Sequence, residues 1–212
     1  MMEQKKKIAV LVSGGGTNLQ ALIDAQKAGA LHSGEIALVI SSKPGAFALE
    51  RAEKAGIPGV VVDRKAHPDK ASFEAALISE LDRVEADFLV LAGFMLVLSS
   101  DFIRRYPDRI VNVHPALIPA FCGDGFYGLR VHQQALSYGV RVTGATVHFV
   151  NEVTDGGAII LQKAVDIPCG ISAEDLQQKV MKEAEHILLP RAVELLCAGK
   201  VSRCGRQVII NE

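Results

Sequence analysis

Residues 8–13 (Ile-Ala-Val-Leu-Val-Ser) are apolar without alternation and stop at Gly14-Gly15-Gly16. A strand that is apolar on both sides needs cover on both faces, which a parallel sheet with crossover helices supplies. The same unit recurs along the chain. Residues 36–41, Val60-Val61-Val62 and Phe88 to Leu91 are further short apolar runs. Between them lie Leu19, Leu22 and Ile23, a stretch near 45–55 that stops at Gly56, and Phe73, Leu77, Leu81 and Val84, all at helical spacing. This alternation predicts an α/β fold, a single doubly wound, mostly parallel sheet flanked by helices on both faces.

The second half is less regular. A short helix over 101–106 ends at Pro107, and Ile110 to His114 forms a strand closed by Pro115. Residues 116–128 hold four Gly or Pro and no period, which predicts a long functional loop before a helix at about 130–138. Strands near 142–150 and 158–167 are joined by Asn-Glu-Val-Thr-Asp-Gly-Gly and are expected to pair antiparallel, giving the sheet an antiparallel pair near its C-terminal third. A last helix over about 173–198 is expected to kink or split at Pro190.

With Lys plus Arg at 23 and Asp plus Glu at 24, no charge excess points to a nucleic-acid or membrane partner. Any anionic ligand must therefore be held locally. Cys122, Cys169, Cys197 and Cys204 are scattered without metal-type spacing, so no metal is expected and the cytoplasm is the simpler setting. The N-terminal lysines pass straight into a short strand, which predicts no export signal.

Three places carry chemistry. The Ser13 to Asn18 turn follows a buried strand and opens a helix, so it suits an anion or is a plain turn. It fails both the P-loop and the dinucleotide fingerprint. Asn112 and His114, two apart on one strand, leave the same face, with Ile110 beneath them and Val111 and Val113 opposite. A carboxamide donor beside a titrating group is what acyl transfer requires, although a buried, satisfied histidine is the competing reading. Asp155 is a turn residue by default, and a nearby histidine would give it a function. His148 in mid-strand reads as structural, His132 at a helix start as exposed, and Cys122 as incidental.

Taken in order, Ser13 to Gln20, Leu91-Ala92-Gly93-Phe94-Met95, Asn112 to Pro119, Gly144 to Val150 and Asp155-Gly156-Gly157 resemble the phosphoribosylglycinamide formyltransferases of the folate-dependent formyltransferase superfamily. The likeness spans about residues 8–200. It implies formyl transfer from 10-formyltetrahydrofolate, used as a co-substrate, to the amino group of phosphoribosylglycinamide in purine synthesis, with no metal. Residue by residue, it implies that Asn112 and His114 stabilise the oxyanion, while Asp155 keeps His114 protonated and organises a proton relay. Gly16, Thr17, Asn18 and Glu185 would bind phosphoribosylglycinamide. Met95, Leu96, Val97 and Leu98, with Asn112 and Asn151, Glu152, Val153, Thr154 and Asp155, would hold the folate, and Lys70 its glutamate tail.

The alternation of elements reads as one domain over 1–212, with 1–110 as a phosphate-binding half and 111–200, by the resemblance, as a catalytic and folate-binding half; 201–212, beyond the resemblance, is read as a tail. Its partners would be small-molecule substrates, with the chain a monomer or homodimer. There are departures from the family pattern. Residues 121–128 are longer and richer in glycine, Ala116 replaces a common Ser, and the last helix carries one extra residue before Glu185. The alternatives are a formyltransferase for methionyl-tRNA or a nucleotide sugar, a formyltetrahydrofolate hydrolase, and a non-catalytic anion-binding module.

Overall fold

The computed structural model describes residues 4–211. Seven strands form one sheet in the order β3-β2-β1-β4-β5-β6-β7. They are β1 Lys6–Val12, β2 Gly34–Ser41, β3 Gly59–Val61, β4 Phe88–Leu91, β5 Ile110–His114, β6 Val142–Phe149 and β7 Ile159–Asp166. The first five run parallel. β6 turns antiparallel to β5 and β7 antiparallel to β6, so the expected antiparallel pair is present and β5 joins it.

Helices cover both faces, as the unalternated strands require. One face packs its apolar residues with α1 Thr17–Lys27, α2 Phe47–Lys54, α6 Ala173–Val180 and α7 His186–Cys197. The other packs with α3 Lys70–Val84 and α4 Ser100–Arg105, while α5 Leu129–Tyr138 lies beside α6. Asp69, Ser99 and Ser172 cap α3, α4 and α6 by accepting a backbone N–H inside the first turn. Among the described residues, no helix is long and apolar enough to cross a membrane.

Two details differ from the sequence-based expectation. The last helix is interrupted ahead of Pro190, by a wide π turn over Met181–Glu185, and α7 continues through the proline. Residues 201–212, read as a tail, contain a hairpin of β8 Val201–Cys204 and β9 Gln207–Ile210. Gly205 makes its turn with a left-handed φ of 61°.

The chain between β6 and β7 is set by a close backbone approach. A Cβ on Gly157 would come 1.6 Å from the Phe149 carbonyl oxygen, a contact no side-chain rotation relieves. Gly157→Ala is therefore expected to destabilise the fold by about 3 kcal/mol. In a protein of this size that lowers Tm by roughly 6–12 °C, and calorimetry would show it. An unchanged Tm would contradict the approach.

Candidate functional site

The strand order reverses between β1 and β4, and ligands of doubly wound sheets bind in the crevice at such a point. A cavity of about 860 Å³ opens there, lined by residues that follow β1, β4 and β5. It is large enough for a drug-sized molecule.

After β1, Gly14 to Asn18 line the cavity and Gly16, with φ 72°, immediately precedes α1. A Cβ on Gly16 would meet the Ala48 Cβ at 2.6 Å, so only glycine fits against α2. Asn18 Nδ2 donates to Glu185 Oε2 at 2.7 Å, while Asn18 Oδ1 is buried without a partner. Burial pushes the Glu185 carboxyl above its usual range, and the Asn18 hydrogen bond partly opposes this.

After β4, Leu91 to Leu98 form an apolar wall in which Met95 and Val97 stay exposed. The wall is pinned at its middle and at its far end. The Met95 N–H donates to Ser13 Oγ at 3.0 Å, and Glu74 accepts from the Ser99 N–H at 2.6 Å and from the Ser99 hydroxyl. Asn151 to Asp155 also line the cavity. Lys70, the exposed first residue of α3, does not.

At the end of β5, Asn112 and His114 share a face with Ile110, and Val111 and Val113 pack into the opposite core. The antiparallel register sets His148 directly across from Asn112. Cross-strand neighbours of this kind bring their side chains together. Asn112 Nδ2 lies 3.3 Å from His148 Nε2, and His148 Nδ1 lies 2.8 Å from the Phe149 carbonyl oxygen. A carbonyl only accepts, so the neutral ring carries its proton on Nδ1 and Nε2 accepts from Asn112.

Asp155 closes the cluster from the β6–β7 connection. Its Oδ2 is 3.5 Å from His114 Nδ1, and its Oδ1 is 3.5 Å from His148 Nε2. The Gly123 N–H also donates to Oδ2 at 2.9 Å. One carboxylate thus faces two imidazoles. Burial works to raise the Asp155 pKa, but the facing imidazoles and the Gly123 N–H outweigh it and hold it below 3.8.

Burial pushes His114 below its ordinary 6.5, and the Asp155 charge and the Phe121 carbonyl only partly offset this. His114 Nε2–H donates to the Phe121 oxygen at 2.8 Å, and Nδ1 faces the Asp155 carboxylate.

Two histidines sit differently from their sequence reading. His148 belongs to the cluster, a role readable only once β6 is known to pair with β5 in this register. His132 is completely buried rather than exposed, lines the cavity and has no hydrogen-bond partner on either nitrogen. Burial, with a smaller contribution from His114, lowers its pKa to about 4. Cys122 has its thiol pushed up by burial and by Asp155, which does not suit a nucleophile.

The family model for formyl transferase matches residues 6–193. The chain belongs to the formyl transferase family. It is 44% identical over 197 residues to the trifunctional purine biosynthetic protein adenosine-3 of Gallus gallus, a match covering 93% of this chain and 19% of that protein. The chain thus spans about a fifth of that relative's length. The crystal structure of glycinamide ribonucleotide transformylase 1 from Symbiobacterium toebii superposes with a TM-score of 0.93 at 40% identity, covering 100% of this chain and 98% of the other. A formyltetrahydrofolate deformylase from Pseudomonas syringae shares the fold with a TM-score of 0.88 at 27% identity, over 99% of this chain and 67% of the other.

Proposed function

We propose that the chain transfers a formyl group from 10-formyltetrahydrofolate to the amino group of phosphoribosylglycinamide. One observation carries this reading. A carboxylate facing two imidazoles, with a carboxamide beside them, lines the same cavity as a glycine turn and an apolar wall. The turn, with Gly16, Thr17 and Asn18, offers free N–H groups to a phosphate at a helix N-terminus. The wall from Met95 to Leu98, facing Asn151 to Thr154, suits a flat heteroaromatic ring such as the pterin. Glu185 and the unpartnered Asn18 Oδ1 suit the hydroxyl and amide donors of a ribosylglycinamide. Lys70, outside the cavity lining, is left to meet the charged tail of the folate.

Each residue then has a task. Asn112 Nδ2 and His114 donate to the oxyanion that develops on the formyl oxygen. Asp155, held ionised, takes up through water the proton that the attacking amine sheds and returns it to N10 of the folate as the bond from the formyl carbon to N10 breaks. His148 Nε2 accepts from Asn112 Nδ2 and so orients the amide. Both His114 nitrogens start engaged, Nε2 by Phe121 and Nδ1 toward Asp155. Donation to the oxyanion therefore requires the Phe121 carbonyl to yield, so the 116–128 loop shifts during the cycle. The ligands are small molecules, with neither nucleic acid nor membrane as partner, and the protein works in the cytoplasm as a monomer or homodimer.

Incubating the purified protein with the formyl donor and each candidate acceptor tests the assignment. Formyl phosphoribosylglycinamide is expected. Free formate made without any acceptor would instead identify a hydrolase, the activity named for the Pseudomonas syringae neighbour. The rate should fall in acid, where the amine and then the Asp155 cluster take up protons, in a coupled profile rather than a single titration. A rate that stays flat from about pH 5 to 9 would contradict a titrating relay.

A further inference from the structure

We propose that Arg51 is a positioning residue for the acceptor's phosphate, acting through the Gly15 carbonyl from behind the glycine turn. The inference rests on the reading of that turn as the phosphate site. Among the described residues, no Lys or Arg lines the cavity. A phosphate there meets only backbone N–H groups, the Thr17 hydroxyl and the positive end of α1. What aims those N–H groups therefore decides how well the dianion is held.

Helix α2 does the aiming. The Ala48 N–H donates to the Gly14 carbonyl at 3.1 Å, and Arg51 Nε donates to the Gly15 carbonyl at 2.8 Å. In a planar trans peptide, the carbonyl and the following N–H point in opposite directions. With both carbonyls drawn toward α2, the N–H groups of Gly15 and Gly16 turn away from it. Residues Gly14 to Thr17 line the cavity and no residue of α2 does, so away from α2 is toward the ligand.

Arg51 is itself held in place. Its Nη1 donates to Gln20 Oε1 at 3.0 Å, and its guanidinium lies 4.9 Å from the Phe47 ring centre. A charged donor on the Gly15 carbonyl polarises that peptide and makes the Gly16 N–H a stronger donor. The charge thus reaches the phosphate through one peptide group without touching it. Without Arg51 the turn keeps its hold at Gly14 through the Ala48 N–H and its packing of Gly16 on Ala48, so the fold of the turn survives while the Gly15–Gly16 peptide loses its charged anchor.

The test compares phosphoribosylglycinamide with its dephosphorylated form as acceptors for the wild type, Arg51→Met and Arg51→Lys. Methionine keeps a long stem over Phe47 and loses the guanidinium. Arg51→Met should raise the phosphorylated acceptor's KM at least about tenfold, with kcat within about threefold and no change for the dephosphorylated acceptor. Arg51→Lys should fall between, since lysine keeps the charge and loses the fork. An equal KM rise for both acceptors, or none for either, would overturn the role of Arg51. A wild-type protein that binds both acceptors equally would overturn the phosphate reading itself, and the inference with it.

Discussion

Asp155→Asn is expected to lower kcat by about a thousandfold while leaving the fold intact. Asp155 has a left-handed φ of 54°, a conformation that asparagine tolerates and most other residues do not. The amide oxygen can still accept the Gly123 N–H, so the turn keeps its anchor. What disappears is the negative charge facing both imidazoles and the group able to take the amine's proton. Steady-state kinetics beside a melting curve would check this. The acid limb of the pH profile should also change shape, because one member of the coupled set is gone. A low rate together with a lowered Tm in Asp155→Asn would locate the loss in folding, whereas full activity would remove Asp155 from the relay.

His114→Ala and Asn112→Ala are each expected to lower kcat by at least about a hundredfold, the scale of losing an oxyanion donor or a general acid. The two side chains sit two residues apart at the end of β5, and the strand's ladder is made by backbone groups that alanine retains. Asn112→Ala also frees His148 Nε2, so its effect includes a looser Asp155. Because the residues act on the same developing charge, the double variant should lose much less than the product of the two factors. Unchanged turnover in both single variants would reject the assigned roles.

Much of the fold was readable because its strands are buried on two faces, and unbroken apolar runs such as Ile8 to Val12 have few other uses. The glycine turn and the shared face of Asn112 and His114 follow from local rules of the same kind. Features made by pairing across the chain were not readable in this way. His148 joins the site only through its register opposite Asn112, and the approach of Asp155 depends on the connection after β6. His132 opens an amphipathic helix, and its burial reflects packing that no local pattern records. The β8–β9 hairpin is four residues on each side, too short for alternation to stand out, although Gly205 marked its turn. Arg51 carries no local signal either, since its partner is a backbone carbonyl.

A structure with phosphoribosylglycinamide and an inert folate analogue bound together tests the account most directly. The phosphate should lie on the N–H groups that follow Gly14, and the pterin along Met95 to Leu98. The amine nitrogen should stand about 3–3.5 Å from the position of the formyl carbon. Asn112 and His114 should reach the formyl oxygen, with Asp155 still against His114. Ligands bound on separate surfaces, or an Asp155 carboxylate turned out of reach of both imidazoles, would contradict it.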